Sequence, residues 1–381
     1  MDSAERQGLR PKGNVPNLRF PEFQGEWEKR TIGEISTIKN GPFGSVLHAD
    51  DYVDEGIPIV TTEHFKNGNL PLSKNGIPQV SEDDYYRLRG YKLEKDDIVF
   101  SRVGSIDINA HVEQPQQGWL FSGRVLRVRP IKSVNSLCLH YILSTESVKR
   151  SIRNRAVGQT MPSINTPILS NTKINIPQSV GEQKKIANLL ALLDERIATQ
   201  NKIIDKLQSL IKGIADKLFQ TARTTKPLLE FAPNITSGTD KSGSGTIPLY
   251  GSTGIIGTVK NASQKGNIVL VARVGTIGTV QYVNEPCGVS DNALIVEAGE
   301  MTKYIYHFLK TYIFARITSG TTQPLITASS LKKAAIPTYD IESQTRIVLC
   351  LNGLEKKLDI AKQYLSEIAV MKQYLLRQMF V

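Results

Sequence analysis

The chain has 381 residues, long enough for two or three domains with separate cores. Hydrophobic residues at 40% and charged residues at 22% exclude wholesale disorder. The 47 Lys+Arg against 36 Asp+Glu leave a net charge of +11, which favours a polyanionic partner, most commonly nucleic acid. Cys138, Cys287 and Cys350 are odd in number, far apart and never in a C-x-x-C spacing. That argues against a disulfide framework or a zinc ribbon and fits a reducing cytoplasm. No apolar run follows Met1-Asp2-Ser3-Ala4-Glu5-Arg6, so the opening does not read as a secretory signal, and the most apolar stretch, residues 267–274, is too short to cross a membrane. A soluble cytoplasmic protein is expected.

Along the chain, residues 1–14 read as a flexible tail. Residues 15–180 read as an α/β unit with short strands at 97–104 and 123–130, the second strictly alternating, and a helix over 137–155. At residue 182 the period changes. Ile186, Leu190, Leu193, Ile197, Gln200, Ile204, Leu207, Ile211, Ile214 and Leu218 recur at steps of 4, 3, 4, 3, a heptad seam on a helix of roughly 57 Å. Residues 223–340 form a second, smaller unit: a loop-rich opening, strands at 247–250 and 268–274, and a helix over 301–317. A second long helix, within residues 341–381, carries Ile347, Leu351, Leu354, Leu358, Ala361, Leu365, Ile368, Lys372, Leu375 and Met379 at the same steps. Two seams this narrow and long suit each other as antiparallel partners. The polar Gln200 and Lys372 read either as tolerated defects beside a solvated stretch or as devices that fix the pairing register.

These parts say the same thing twice. Gly158-Gln159-Thr160-Met161-Pro162, Ile176-Pro177 and Glu182-Gln183 are echoed by Gly320-Thr321-Thr322-Gln323-Pro324, Ile336-Pro337 and Glu342-Ser343-Gln344. The helices are in strict register, since 344 − 183, 347 − 186 and 380 − 219 all give 161. Arg102-Val103-Gly104-Ser105-Ile106 matches Arg273-Val274-Gly275-Thr276-Ile277, and Ile57-Pro58-Ile59 matches Ile247-Pro248-Leu249. The offsets there are 171 (273 − 102) and 190 (248 − 58). The helices kept their spacing while the globular parts changed length, as a two-part reader requires.

Chemistry is conspicuous by what is missing. Gly238-x-x-x-x-Gly243 is followed by Ser244, not Lys, so there is no phosphate-binding P-loop. Gly243-Ser244-Gly245 lacks a third glycine at Pro248. No Asn/Asp/Ser-Pro-Pro-aromatic motif of amino-methyltransferases occurs. His48, His64, His111, His140 and His307 show no metal-binding spacing and read as surface or packed residues. Asp83-Asp84 and Asp96-Asp97 read as solvated caps beside turns. No enzyme is evident in this chain.

The motif Val15-Pro16-Asn17-Leu18-Arg19-Phe20-Pro21-Glu22-Phe23-x-Gly25-x-Trp27, the junction Ile176-Pro177 leading to Glu182-Gln183-x-x-Ile186, and the repeat together resemble the specificity subunit of type I DNA restriction–modification enzymes. The resemblance implies an α/β (α+β) fold with two target-recognition domains separated by two long antiparallel coiled-coil helices and a pseudo-twofold internal repeat. It implies a noncatalytic subunit that reads a bipartite double-stranded DNA target. Two modification subunits and two restriction subunits would dock on it, and S-adenosylmethionine, ATP and Mg would belong to them, with no cofactor or membrane contact for this chain. The second junction is degenerate and the second unit is short. The other function classes to weigh are a fused methyltransferase and a structural coiled-coil DNA-binding or assembly protein outside restriction–modification.

Base reading needs donors and acceptors on loops held by a rigid sheet, with cations on flanking phosphates. The candidates in the first unit are Lys39, Asn40, Lys66, Asn67, Arg102, Ser105, Gln159 and Thr160. Those in the second are Ser252, Thr253, Lys260, Arg273, Thr276, Thr322 and Gln323. Arg102 and Arg273, shared by units that should read different sequences, suit phosphate or structural work better than base reading. On the helices, Lys184, Lys185, Arg196, Lys206 and Lys212 face outward and could touch the DNA spacer or partner subunits.

Overall fold

The structure is a computed structural model that describes residues 13–42, 46–158, 160–222, 224–320 and 324–381. The first globular part contains β1 (Glu28–Thr31), α1 (Ile32–Ile35), β2 (Ser36–Asn40), β3 (Tyr52–Val53), β4 (Ile57–Val60), β5 (Gln79–Val80), α2 (Glu82–Arg87), β6 (Ile98–Ser101), β7 (Asn109–His111), β8 (Leu120–Phe121) and β9 (Val125–Pro130). It continues with α3 (Ser136–Leu143), α4 (Glu146–Arg153), α5 (Thr166–Ser170) and β10 (Lys173–Ile176), after which the long α6 (Val180–Gln220) begins. The second part holds β11 (Thr224–Pro227), β12 (Thr236–Ser237), β13 (Ile247–Gly251), β14 (Gly254–Val259), β15 (Ile268–Ala272), β16 (Val280–Val283), β17 (Gly288–Val289) and β18 (Ala293–Val296). Then come α7 (Thr302–Leu309), α8 (Ala328–Lys332), β19 (Ala335–Thr338) and the second long helix, α9 (Ile341–Gln378). The chain divides into two compact units: residues 1–198 with 366–381, and residues 199–365.

The two units are built on one plan. The first has a four-stranded antiparallel sheet in the order β2-β9-β6-β7, and the second has β12-β18-β15-β16. A second sheet contains a parallel pair, β4 with β8 in the first unit and β13 with β17 in the second. An antiparallel ribbon gathers the two ends of each globular part, β1 with β10 and β11 with β19.

The central strands β6 (IVFS) and β15 (IVLVA) are buried along their whole length. Side chains alternate across a strand, so one run of apolar residues feeds two cores. Ile98 and Phe100 join Leu126, Leu139 and Ile186 on the helix side, whereas Val99 joins Val60, Phe121 and Val125 on the other. In the second unit Val269 and Val271 face Tyr304, Phe308 and Ile347, while Ile268 and Leu270 face Cys287 and Val289. The units are layered helix, sheet, sheet. The helix read over 137–155 is two helices, α3 and α4, broken where the hydroxyls of Ser144 and Thr145 donate back to the carbonyls of His140 and Ile142. The helix read over 301–317 ends at Leu309.

All the seam positions read from the sequence are buried or half-buried on α6 and α9. In the first unit Ile186, Ala187 and Leu190 pack with Leu376, Met379 and Phe380; in the second Ala215 and Phe219 pack with Ile347 and Leu351, so the helices run antiparallel in each. The polar interruptions are not solvated defects. Gln200 is 9% exposed and its side-chain amide donates to the Ala361 carbonyl at 3.0 Å. Gln200 and Ala361 are repeat equivalents, 161 apart, and in an antiparallel pair of duplicated helices only a residue on the pair's local axis meets its own counterpart. Lys372 is half-buried and bonds Asp194, whose other carboxylate oxygen accepts from Tyr141 Oη at 2.8 Å. The counterpart of Asp194 is Glu355 (355 − 194 = 161), and it accepts from Tyr306 Oη at 3.4 Å and from Lys310. An acid at equivalent positions, one residue past a seam leucine, thus ties each long helix to the helix that follows its unit's central sheet.

The aromatic ends of the long helices plug the cores. Phe380 meets Trp27 edge-on, with centroids 6.0 Å apart; Phe219, 161 residues earlier, meets Tyr304 and Phe308 at 5.6 and 5.5 Å. In the first unit the two motifs that carried the resemblance touch each other. Glu182, 1% exposed, accepts from Arg19 Nε and Nη2 at 2.7 and 2.8 Å and from Trp27 Nε1 at 3.2 Å. Gln183 accepts from Asn135 N and donates to the Pro177 carbonyl. In the second unit Gln344 keeps the latter bond, to Tyr339, while Glu342 is exposed and pairs only with Arg346 among the described residues. Asp97 is also no solvated cap: it is 1% exposed and accepts from Arg129 Nε and Nη2 at 2.7 and 2.8 Å.

His140 is buried, with Nδ1 2.7 Å from Asn109 Oδ1, and burial pushes its pKa down to about 3, helped by His111, Lys372 and Lys149 nearby. No group of three or more His, Cys, Asp or Glu suited to a metal ion occurs among the described residues, and no described helix is long and apolar enough to cross a membrane.

Two outcomes follow, and both are readable by tryptophan fluorescence because Trp27 and Trp119 lie in the first unit. Arg19→Met strands a buried carboxylate and is expected to lower that unit's stability by about 3–5 kcal/mol in urea titrations. The first unit should also lose stability as pH falls below about 6.5, where an unfolded histidine takes a proton that folded His140 refuses until about pH 3. His140→Gln should reduce that slope between pH 6.5 and 5, leaving the share of His111 and His64, whose pKa values burial also lowers; an unchanged slope would remove His140 as a source.

Candidate nucleic-acid interface

β6 and β15 end in the same loop, held by the same bonds. Arg102 N donates to Arg124 O at 3.0 Å, Ile106 N to Gly104 O at 2.9 Å and Ile164 N to Arg102 O at 2.9 Å. In the second unit Arg273 N donates to Asn292 O at 3.0 Å, Ile277 N to Gly275 O at 2.9 Å and Ile326 N to Arg273 O at 3.0 Å. Gly104 and Gly275 sit at φ +81° and +72°, the left-handed conformation that glycine adopts without penalty. The third bond brings in the second repeated loop. Val157 and Ser163 exchange backbone hydrogen bonds, and Ser319 and Leu325 do the same.

Each unit therefore bonds the backbone just past its second repeated motif to the loop that ends its central strand. In the first unit Gly104 N donates to Pro162 O at 2.9 Å, which sets Ser105 close to the loop that carries Thr160. Both residues are exposed. A third segment completes the face, the turn after β4 or β13. In the first unit Thr62, Glu63 and Lys66 stand across a recess of about 210 Å³ from Ser101, Val103, Gly104, Ser105 and Arg124. A wider recess of about 420 Å³ adjoins it, lined by Thr61, Thr62, Glu63, Ser122, Gly123 and Arg124 among others. In the second unit Thr276 Oγ1 donates to Ser252 O at 3.1 Å, so Ser252, Thr253, Arg273 and Thr276 gather together.

Other candidates lie elsewhere or are held by the protein. Lys39 Nζ donates to the Gly90 carbonyl at 2.7 Å and sits 4.7 Å above the Tyr91 ring, and Asn40 Oδ1 accepts from Thr166 at 3.1 Å. Asn67 is exposed and lines a separate polar recess of about 260 Å³ with His140, Lys149, Asp194 and Lys372. Lys260 is exposed, just past the end of β14 remote from Ser252, a strand's length of roughly 20 Å away. Arg102 Nη1 donates to the Gly123 carbonyl at 3.1 Å, and Arg273 Nε is buried with no hydrogen-bond partner among the described residues. Gln159, Thr322 and Gln323 lie outside the described residues. Lys184, Lys185, Arg196, Lys206 and Lys212 are exposed, with Lys185 paired to Glu22.

The face also contains Thr62, Glu63 and Arg124, which the sequence reading passed over. Part of the signal was present for Thr62 and Glu63: the offset between the repeats falls from 190 to 171 between residues 58 and 102, the largest single change in spacing along the repeat.

The model for the type I restriction modification DNA specificity domain matches twice, over residues 24–209 and 225–370. The chain is 31% identical over 216 residues to the MjaX specificity subunit of Methanocaldococcus jannaschii, covering 54% of this chain and 48% of that protein. It is 27% identical over 203 residues to the type I restriction enzyme MjaVIII specificity subunit of the same organism, covering 53% and 43%. It thus spans about half the length of the curated relatives it matches. The crystal structure of a type I restriction-modification system S subunit from M. genitalium superposes with a TM-score of 0.67 at 19% identity, over 96% of this chain and 99% of that one. A chain from a structural study of type I R-M complex assembly and conformational transition gives 0.56 at 15% identity, over 93% and 97%. Both likenesses concern the fold, which is mixed helix and sheet with long helices beside repeated globular parts. With the family model matched across both repeats, the chain belongs to the type I restriction modification DNA specificity domain family.

Proposed function

We propose that this chain is a noncatalytic DNA-recognition subunit that reads a two-part double-stranded target in the cytoplasm, one half with each unit. One observation carries the reading. Two units share a sheet order, one loop and the flanks of a second down to individual backbone bonds, yet differ in the segment that completes the same face. A common frame with one exchangeable wall suits two readers of different sequences. Conserved loops would meet phosphates and sugar, and the variable wall would meet base edges. The excess of Lys and Arg supplies the nonspecific attraction to DNA.

In this reading two modification subunits bound to the chain carry S-adenosylmethionine and methylate adenine, and two restriction subunits use ATP and Mg. This chain's own residues bind and orient the DNA. Residues 15–180 and 223–340 would be the exchangeable readers, with the long helices as their frame.

Co-expression with the modification subunit, followed by mapping of methylated adenines, tests this. The expected outcome is a two-part motif with a fixed gap, of which one half changes when residues 223–340 are exchanged for those of a relative. Methylation by this chain alone with S-adenosylmethionine and DNA, or an undivided motif, would overturn the proposal.

A further inference from the structure

The segment after β4 contains an acid on a face that otherwise collects cations. Glu63 lines both recesses beside the Arg102–Ile106 loop, and its side chain is 67% exposed. Its backbone is pinned from both sides. Phe65 is fully buried, and Thr61 N donates to His64 Nδ1 at 3.0 Å. A rigid mount with a solvent-facing carboxylate is what a recognition group needs. Its ion pair with Lys66, at 2.5 Å, is exposed at both ends, and such pairs contribute little to stability. On a surface that approaches DNA a carboxylate is repelled by phosphates, and with its exposed pair to Lys66 adding little to stability, its place there suits a donor on the DNA that it can accept from. In the major groove those donors are base amino groups, and the usual partner of a carboxylate is cytosine N4.

Lys66 sharpens the assignment. A G·C pair displays the cytosine amino donor beside the guanine O6 and N7 acceptors. An acid and a lysine held next to each other present the complementary order, acceptor beside cation. In the second unit β13 runs through Ser252-Thr253 straight into β14 (Gly254–Val259), with neither an acid nor a lysine before Lys260, so the two units differ in chemistry here.

We propose that Glu63 and Lys66 are a specificity-determining pair that reads one G·C base pair in the half-site of the first unit, Glu63 accepting from cytosine N4 and Lys66 donating to guanine. The proposal rests on the DNA-reading function above. The test uses the full chain co-expressed with the modification subunit, with methylated adenines mapped for the unaltered chain, E63Q, E63A and the exchanged pair E63K/K66E.

The unaltered chain should require G·C at one position of one half-site. E63A should relax that requirement by roughly tenfold or more, leaving the gap and the other half unchanged. The exchanged pair should favour the reversed orientation, C·G. If E63A methylates the same motif with the same stringency, the proposal fails while the function stands. If it methylates nothing despite an unaltered melting curve, the proposal also fails, because a reader of one base pair relaxes choice without abolishing activity. If the unaltered chain yields no two-part motif, the function falls and this pair with it.

Discussion

Each unit's core is finished by the end of a long helix, and that closure is the constraint on which the rest depends. Phe380 and Phe219 fill the same gap in the two units against different aromatic partners. The acids Asp194 and Glu355, also repeat equivalents, fasten each long helix to a tyrosine on the helix after the central sheet. With helix and sheet joined by a plug and a clamp at equivalent positions of the two repeats, neither helix can slip without opening a core. Residues 161 apart therefore keep their spacing strictly, whereas loops elsewhere lengthen and shorten freely.

The seams were legible because a period of 3.5 sustained over several heptads has one physical meaning. The buried strands at 98–101 and 268–272 were legible as unbroken apolar runs, although that each feeds two cores was not. What failed depends on tertiary partners. Gln200, Lys372 and Asp97 are polar residues whose burial is offset by a carbonyl, a carboxylate and a guanidinium far away in sequence, so composition alone makes them look solvated. The break at Ser144-Thr145 was missed because hydroxyl back-bonding competes with a helical pattern that otherwise continues.

The candidate face was half-legible. The two repeated loops stood out as repeats, and in each unit the backbone just past the second is bonded to the first. Lys39 and Asn40 show the limit of that logic: residue type suggested recognition, but both side chains are bonded within the protein. Glu63 shows the converse. In a basic chain an acid does not suggest DNA contact until its neighbours on the folded surface are known. The change in repeat spacing after residue 58 does not by itself single out a residue, and only the fold showed which side chains are mounted rigidly on the face.

The discontinuity of the first unit bears on how the molecule is made. Residues 199–365 form an uninterrupted unit, while the first unit needs residues 366–381, including Met379 and Phe380 in its core and Gln378, whose carbonyl accepts from Leu18 N at 2.8 Å. On a ribosome the unit that begins first must therefore be completed last. At ordinary synthesis rates residue 380 follows residue 198 by roughly 10–40 s. Throughout that interval the nascent first unit carries an open apolar groove where Phe380 will sit, and the second unit, begun later, has all its residues once residue 365 is made, before the first unit has its own.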